Sequence, residues 1–373
     1  MIVVSDIEGP LVNPKFDLAW ELMDKLKDEG KIDQNLYDLV KRFDDYDDAR
    51  WLAERNTMGW STGTTPVISM LIAAYSGMSD EDIVSFVQDR ILINEGIYDM
   101  MAFLKEQDVD TYLVSSSAPQ QALIAAKELS VPFSRVFCAG NQLQPSQAAL
   151  LDCKDLEASI DMRSVINYLS QHKETLESFV IKYLNTCKRW VDSKENDEEY
   201  NLGSIENYLN TMFDEIQDAG LRDTLTYLLR DQNGMRGGYK KAEIITQLKQ
   251  DNSNAIIVYI GDSVVDTDAL RVADFAITTN CTSKLALAVS DINLATQDMK
   301  YLDCVIADLH AGKVTNDVSK YIAENLATKF DPAHMTISGS VRILDQMPKV
   351  IEENHVAKTR LQQTYDVEML SRR

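Results

Sequence analysis

Cysteine pairs at metal-binding spacing are missing from this sequence, and its four histidines (His172, His310, His334, His355) stand far apart. With no two of these ligands near each other, a zinc site is not expected. The five cysteines, Cys138, Cys153, Cys187, Cys281 and Cys304, are odd in number, scattered and never in CxxC spacing. They read as reduced, mostly buried thiols of a cytosolic protein. No stretch reaches membrane-spanning length, and no cationic region precedes the first apolar run, so a cytoplasmic location without membrane contact is expected. Basic charge is also short. Against 59 acidic residues there are 37 basic ones, a formal net charge of -22. That field repels nucleic acid and anionic membrane surfaces, which excludes both as expected partners. Such an acidic body handles an anionic substrate only through a local cation, either Lys/Arg or a bound metal.

What is present is a chain of 373 residues, 45% hydrophobic, long enough for a sizeable core and two or three domains. It opens MIVVSDIEGPL, where Ile2-Val3-Val4 run directly into Asp6, Glu8, Gly9 and Pro10. An apolar run bounded by turn residues reads as a buried strand. Taken alone, Asp6 and Glu8 are either loop acids at a strand-to-turn junction or a pair that needs a cation between them. Further strands are expected over Val109–Val114, which ends in Ser115-Ser116-Ser117, over Ala255–Ile260, which runs into Gly261-Asp262, and over Phe275–Ile277. Helical spacing precedes two of them, at Tyr98, Met101, Ala102 and Lys105 and at Ile244, Ile245 and Leu248. Strands alternating with helices predict an α/β fold with a parallel sheet covered on both faces. Ligands of such sheets sit beyond the carboxyl ends of the strands.

Two long segments break the alternation. Residues 15–94 are helical in pattern, with Leu36, Leu39, Val40 and Phe43 in one stripe and Asp44, Asp45, Asp47 and Asp48 beyond it. Residues 155–232 are again helical, at Leu176, Phe179, Val180, Tyr183, Leu184 and Cys187 and at Ile205, Tyr208, Leu209, Met212, Phe213 and Ile216. The polar run from Asp192 to Asn201 between these stripes is expected to be a solvated loop. The α/β core is therefore assigned to 1–14, 95–154 and 233–330, with helical inserts at 15–94 and 155–232 and a helical tail at 331–373. Within the first insert, the run from Asn56 to Pro66 is dense in glycine and hydroxyls and contains Trp60. It is either a substrate-facing loop, with Arg50 or Arg55 near it to catch an anion, or a connector whose Trp60 packs in the insert's core.

In chain order the polar strand ends supply Asp6 and Glu8, then Ser115 and Ser116, then Lys241 in GGYKKAEII, then Asp262 and Asp266 in GDSVVD. Acid, hydroxyl, lysine and acid pair suit a phosphoryl group. Asp6 and Asp262 can share a hard divalent cation, and the hydroxyls with nearby backbone N–H groups can hold phosphate oxygens. A lysine can balance the charge that builds on nucleophile and phosphoryl group, and a second carboxylate can trade protons with leaving group and water.

These four pieces, in this order, resemble motifs I to IV of the haloacid dehalogenase superfamily, in particular its phosphoserine-phosphatase-like branch: DIEG, VSSS, KAEII and GDSVVDTDAL. The likeness extends through NEGIYDMMAFLKEQDVDTYLVSS and FCAGNQL. The resemblance implies a Rossmann-like core, Mg²⁺ as cofactor, and Asp6 as a nucleophile that becomes aspartyl-phosphate. It implies Glu8 as general acid/base whose backbone carbonyl also meets the metal, Lys241 (or its neighbour Lys240) as the motif III lysine, and Ser115 and Ser116 as phosphate ligands. Asp262 would ligate the metal; Asp266 would do so through water or orient Lys241. It also implies that inserts after motif I and between motifs II and III cover the site as caps.

The chain departs from the family in three places. Glu8 replaces the usual Asp, although a DxE form occurs in a phosphotransferase-like subgroup. Pro10 replaces the usual Thr, and Ser116-Ser117 replace the glycines of motif II. Asp268 reads as a helix-start acid. The expected activity is Mg²⁺-dependent hydrolysis of a small phosphorylated metabolite, with transfer to an acceptor hydroxyl as a variant. The opening DIEGPL also resembles archaeal proteins labelled as subunit R of energy-converting hydrogenase A. That likeness implies a non-catalytic subunit of a complex, and the second insert would then be a surface for a protein partner rather than a second lid.

Overall fold

In a computed structural model, which describes residues 1–54, 60–138, 166–195, 202–230, 237–314, 318–322, 324, 335–339 and 347–372, the chain builds an α/β fold around a seven-stranded sheet. The first strand, β1 (Ile2–Ser5), is buried at every position. Such a buried, largely apolar run suits a strand covered on both faces. After it come α1 (Leu18–Asp28), α2 (Gln34–Glu54), α3 (Thr65–Tyr75), α4 (Asp80–Gln88) and α5 (Ile97–Glu106), then β2 (Asp110–Val114), α6 (Pro119–Glu128) and β3 (Val136–Phe137). The remaining strands are β4 (Ile257–Gly261), β5 (Phe275–Thr279), β6 (Ile292–Thr296) and β7 (Met335–Gly339), in the spatial order β3-β2-β1-β4-β5-β6-β7. β1 to β6 pair in parallel, and β7 adds antiparallel to β6. Strand order reverses between β1 and β4, so a crevice opens beyond their carboxyl ends.

Two sequence expectations need correction. The segment 331–373 is not wholly helical: β7 precedes the helix Met347–Arg372. A lone MTISG has too few residues to declare itself, and it becomes a strand because β6 offers a free row of backbone donors and acceptors. The polar run from Asp192 is also not all loop. The helix Lys173–Glu195 carries its first four residues, with Asp192 paired to Arg42 of α2 and to Lys188. Residues 196–201 lie outside the described residues.

The helices of the two inserts share one core. The Phe43 and Tyr183 rings lie 6.0 Å apart, and the Tyr46 and Trp190 rings meet edge to face at 5.4 Å. Leu176, Val180, Leu184 and Cys187 of the second insert bury fully against this cluster. The stripes that look separate in sequence are two halves of a single helical unit. None of the described helices is long and apolar enough to cross a membrane.

Candidate active site

Each strand end that faces the crevice carries a polar residue as its next position. Asp6 follows β1, Ser115 follows β2 and Asp262 follows β4. Parallel pairing of β1 with both neighbours, Ser5 opposite Leu113 and Ile260, puts these residues at one level. Lys241 enters from the helix Gly238–Asp251 and is completely buried. Its Nζ donates to Asp6 Oδ2 and Asp266 Oδ1, each at 2.7 Å. Burial opposes the charge on Lys241, but Asp266 and Asp6 outweigh it and hold the ammonium above the usual lysine range. Lys240 instead pairs with Glu243, at 3.4 Å, so Lys241 is the lysine of the site.

Asp266 has no oxygen to spare. Oδ1 accepts from Lys241 and from the Tyr259 hydroxyl at 2.7 Å, and Oδ2 accepts from the N–H groups of Asp262 and Ser263 at 3.0 and 3.1 Å. Burial pushes its carboxyl up, yet Lys241 and these donors together hold it below the ordinary range. This set fits a residue that orients Lys241. Asp6 and Asp262 are different. Burial, with Asp266 next, lifts Asp6 well above a normal carboxyl, and burial also lifts Asp262, against the pull of Lys358. Single oxygens of Asp6, Asp262 and Asp266 lie within 4.8 Å of one another, the one such cluster of potential metal ligands among the described residues. Two buried carboxylates whose ionised forms are disfavoured, facing each other across that span, fit a hard divalent cation. Gly9, at φ +90°, makes room for the arrangement, since a Cβ there would stand 2.3 Å from Asp262 Cγ.

Above these groups is a cavity of about 270 Å³ lined by Asp6, Glu8, Ser116, Asp262 and Lys358, and on the helical side by Asp17, Asp44 and Asp48. A larger cavity of about 680 Å³ beside Asn94 and Leu361 contains none of the sequence-expected site residues. Glu8 is half-buried, and burial, then Asp17 and Asp6, lifts its carboxyl well above the ordinary glutamate range. The turn that carries it is tied down by Asn94 Nδ2, which donates to the carbonyls of Gly9 at 2.8 Å and Pro10 at 3.2 Å. The missing Thr hydroxyl at Pro10 is thus not needed to close this turn. Ser116 faces the cavity with its hydroxyl free of any hydrogen-bond partner among the described residues. Ser115 does not line the cavity: its Oγ accepts from Ser117 N at 2.9 Å and shapes the turn. Between the two serines expected to hold phosphate, Ser116 is the one on the cavity wall.

The helical side is held by a carboxylate. Asp47 is buried and accepts from Trp60 Nε1 at 2.8 Å and from the N–H groups of Gly63 and Thr64 at 2.6 and 2.9 Å. Trp60 therefore packs inside the helical unit, as a connector would. Arg50 is not available to a substrate anion. It is buried, donates to Glu54 at 2.8 Å and Tyr46 at 2.9 Å, pairs with Glu206, and lies 4.0 Å over the Trp60 ring. A buried guanidinium needs such partners more than a ligand does. Arg55 and residues 56–59 lie outside the described residues, as do 139–143 of FCAGNQL. Even so, Thr62, Gly63, Thr65 and Pro66 of the same run do line the cavity. Asp268 does more than start a helix: it accepts from Trp51 Nε1 of α2 at 3.0 Å and joins insert to core. Lys358 escaped sequence reasoning because it sits some hundred residues beyond the last motif, on a helix with no motif of its own.

No family model matches the chain, and no curated protein does either. Among solved structures it is similar to a gene product of Archaeoglobus fulgidus, with a TM-score of 0.63 and 16% sequence identity, over 97% of this chain and 96% of that one. At that identity the likeness speaks for the fold, which thus spans nearly the full length of both chains.

Proposed function

We propose that this chain is a Mg²⁺-dependent phosphatase of the haloacid dehalogenase type, acting on a small phosphorylated metabolite. The observation that carries the reading is the buried Lys241 bridge between Asp6 and Asp266, set beneath a cavity that Glu8 and Ser116 face. A structural ion pair needs no such cavity, and a binding module needs no set of buried carboxylates around it. The order of residues along the chain, as resembled in that superfamily, assigns them roles.

Asp6 attacks phosphorus, and the bond from phosphorus to the ester oxygen breaks. Glu8, whose carboxyl is lifted above the ordinary glutamate range by burial and by Asp17 and Asp6, in its protonated form hands a proton to the departing alkoxide. As a carboxylate it then takes a proton from the water that attacks the aspartyl-phosphate, which releases inorganic phosphate and restores Asp6. Lys241 holds Asp6 in place and offsets charge throughout, while Ser116 donates to a phosphate oxygen. A divalent cation held by Asp6, Asp262 and the Glu8 carbonyl would neutralise charge on the transferring group.

The test is phosphate release from a panel of phosphorylated metabolites with Mg²⁺, with chelator, and with Asp6→Asn. Release should need the cation and vanish in Asp6→Asn, whose circular dichroism stays native. Wild-type release by Asp6→Asn overturns the covalent route. No release from any substrate by the native chain overturns the enzyme reading and favours a subunit of an assembly.

A further inference from the structure

The cavity presents a charge problem to any phosphate ester. Its wall carries the carboxylates of Asp6, Glu8, Asp17, Asp44, Asp47, Asp48 and Asp262, and Lys358 is the one basic side chain among its described lining residues. Lys241 lies beneath, wholly buried, with two of its three protons committed to Asp6 and Asp266. Lys358 Nζ is 3.2 Å from Asp262 Oδ2, and its side chain keeps 27% of its exposure.

The helix that brings Lys358 here is fastened on both sides of it. Four residues earlier, fully buried Asn354 donates to the Cys281 carbonyl at 2.7 Å and accepts from Asn293 Nδ2 at 3.1 Å. Three residues later, the Leu361 carbonyl accepts from Asn13 Nδ2 at 2.8 Å. Residues 354, 358 and 361 share one helix face, so two anchors aim the lysine between them at the strand ends. A lysine serving only as a surface ion pair would need neither the anchors nor the cavity.

We infer that Lys358 is a phosphate-binding residue of this site, neutralising Asp262 while no cation is bound and turning to a phosphate oxygen once a cation takes that carboxylate. The inference rests on the phosphatase reading for its substrate class and adds a ligand from the C-terminal helix. Its flexible stem and three rotatable donors suit a group that changes partners.

The test measures binding by calorimetry on the full-length protein, with Mn²⁺ alone and then with inorganic phosphate at saturating Mn²⁺. Lys358→Met should weaken phosphate binding by roughly 10–100-fold, the worth of one charge-assisted hydrogen bond. The same variant should bind Mn²⁺ roughly 3–10-fold more tightly, because Asp262 loses its competing ammonium. Lys358→Arg keeps the charge and should hold phosphate within about fivefold of native. Where turnover is measurable, KM should rise with kcat nearly unchanged, as for a contact made equally in ground and transition states. Unchanged phosphate binding in Lys358→Met overturns the inference. So does a loss of Mn²⁺ affinity together with a lowered melting temperature, which marks a purely structural lysine. If the native chain hydrolyses nothing, the phosphatase reading fails, and the two binding measurements still decide the role of Lys358.

Discussion

Removing Lys241 tests the centre of the site without reference to any substrate. In Lys241→Met the side-chain volume is roughly kept, but the ammonium that separates Asp6 from Asp266 is gone. Asp266 keeps Tyr259 and two backbone N–H donors, whereas Asp6 keeps the Ile7 N–H at 2.8 Å. Both carboxylates then face each other in the interior, with side-chain exposures of 5% and 0%. Breaking a buried pair on one side costs about 3–5 kcal/mol, mostly from the charge left behind. The pH dependence follows. In the native chain Lys241 helps hold Asp266 below its ordinary pKa, a contribution present above about pH 4 and lost as pH falls through the folded value. Without Lys241 both acids are raised, so the variant's deficit is largest near pH 7 and shrinks as pH falls toward 4. Urea denaturation at several pH values, in the presence of chelator, reads this directly. The double variant Lys241→Met/Asp266→Asn removes one stranded charge and should recover roughly half of the deficit. A deficit below about 1 kcal/mol at pH 7, or one that is flat with pH, refutes the assignment of a charge-bearing bridge.

Other outcomes follow from the same geometry. Glu8→Gln, nearly isosteric but without a proton to exchange, should slow turnover by roughly 10²-fold or more for poor leaving groups and less for p-nitrophenolate in the first step. Equal, near-native rates for both substrate types would remove Glu8 from the mechanism. Gly9→Ala places a Cβ 2.3 Å from Asp262 Cγ at φ +90°. A left-handed alanine costs about 1–2 kcal/mol, and displacing a site carboxylate by an ångström is worth about 10²-fold in rate, checked by melting and by turnover. Burial raises Asp47 from 3.8 to about 6, against the hydrogen bonds from Thr64 and Trp60. The folded chain therefore holds that proton more tightly than the unfolded one. This contribution, about 3 kcal/mol, is full below pH 3.8 and lost as pH rises through 6. Asp47→Asn should flatten the stability slope across that window, and an unchanged slope would show that the Asp47 proton is not held this way.

Much of the core was legible because its signals are local. An apolar run that must be buried on both faces is written in consecutive residues, as at Ile2–Ser5 and Ile257–Gly261. The acids that follow such runs inherit their position from the strand, so Asp6 and Asp262 could be placed together before any coordinates. Lys241 could be named for its motif, although its choice over Lys240 needed the helix rotation that turns one inward and the other toward Glu243. β6 went unnoticed because Asn293 and Thr296 interrupt the apolar pattern. Asn293 is buried with its amide satisfied by Thr278 and by Asn354, sixty-one positions away.

The sequence by itself determined the kit of side chains and the strand ends that carry it, since both follow from nearest neighbours in the chain. Tertiary structure alone decided how that kit is surrounded. Arg50 looked free and is spent on Tyr46, Glu54 and Glu206; Ser116 rather than Ser115 reaches the cavity; two inserts that look independent share a core around Tyr183 and Trp190. Lys358 belongs to the site only because Asn13 and Asn354 fasten a distant helix over it. A hydrogen bond or an ion pair forms wherever folding brings its partners within about 3 Å. Nothing in the order of residues along the chain encodes that distance when the partners are hundreds of positions apart.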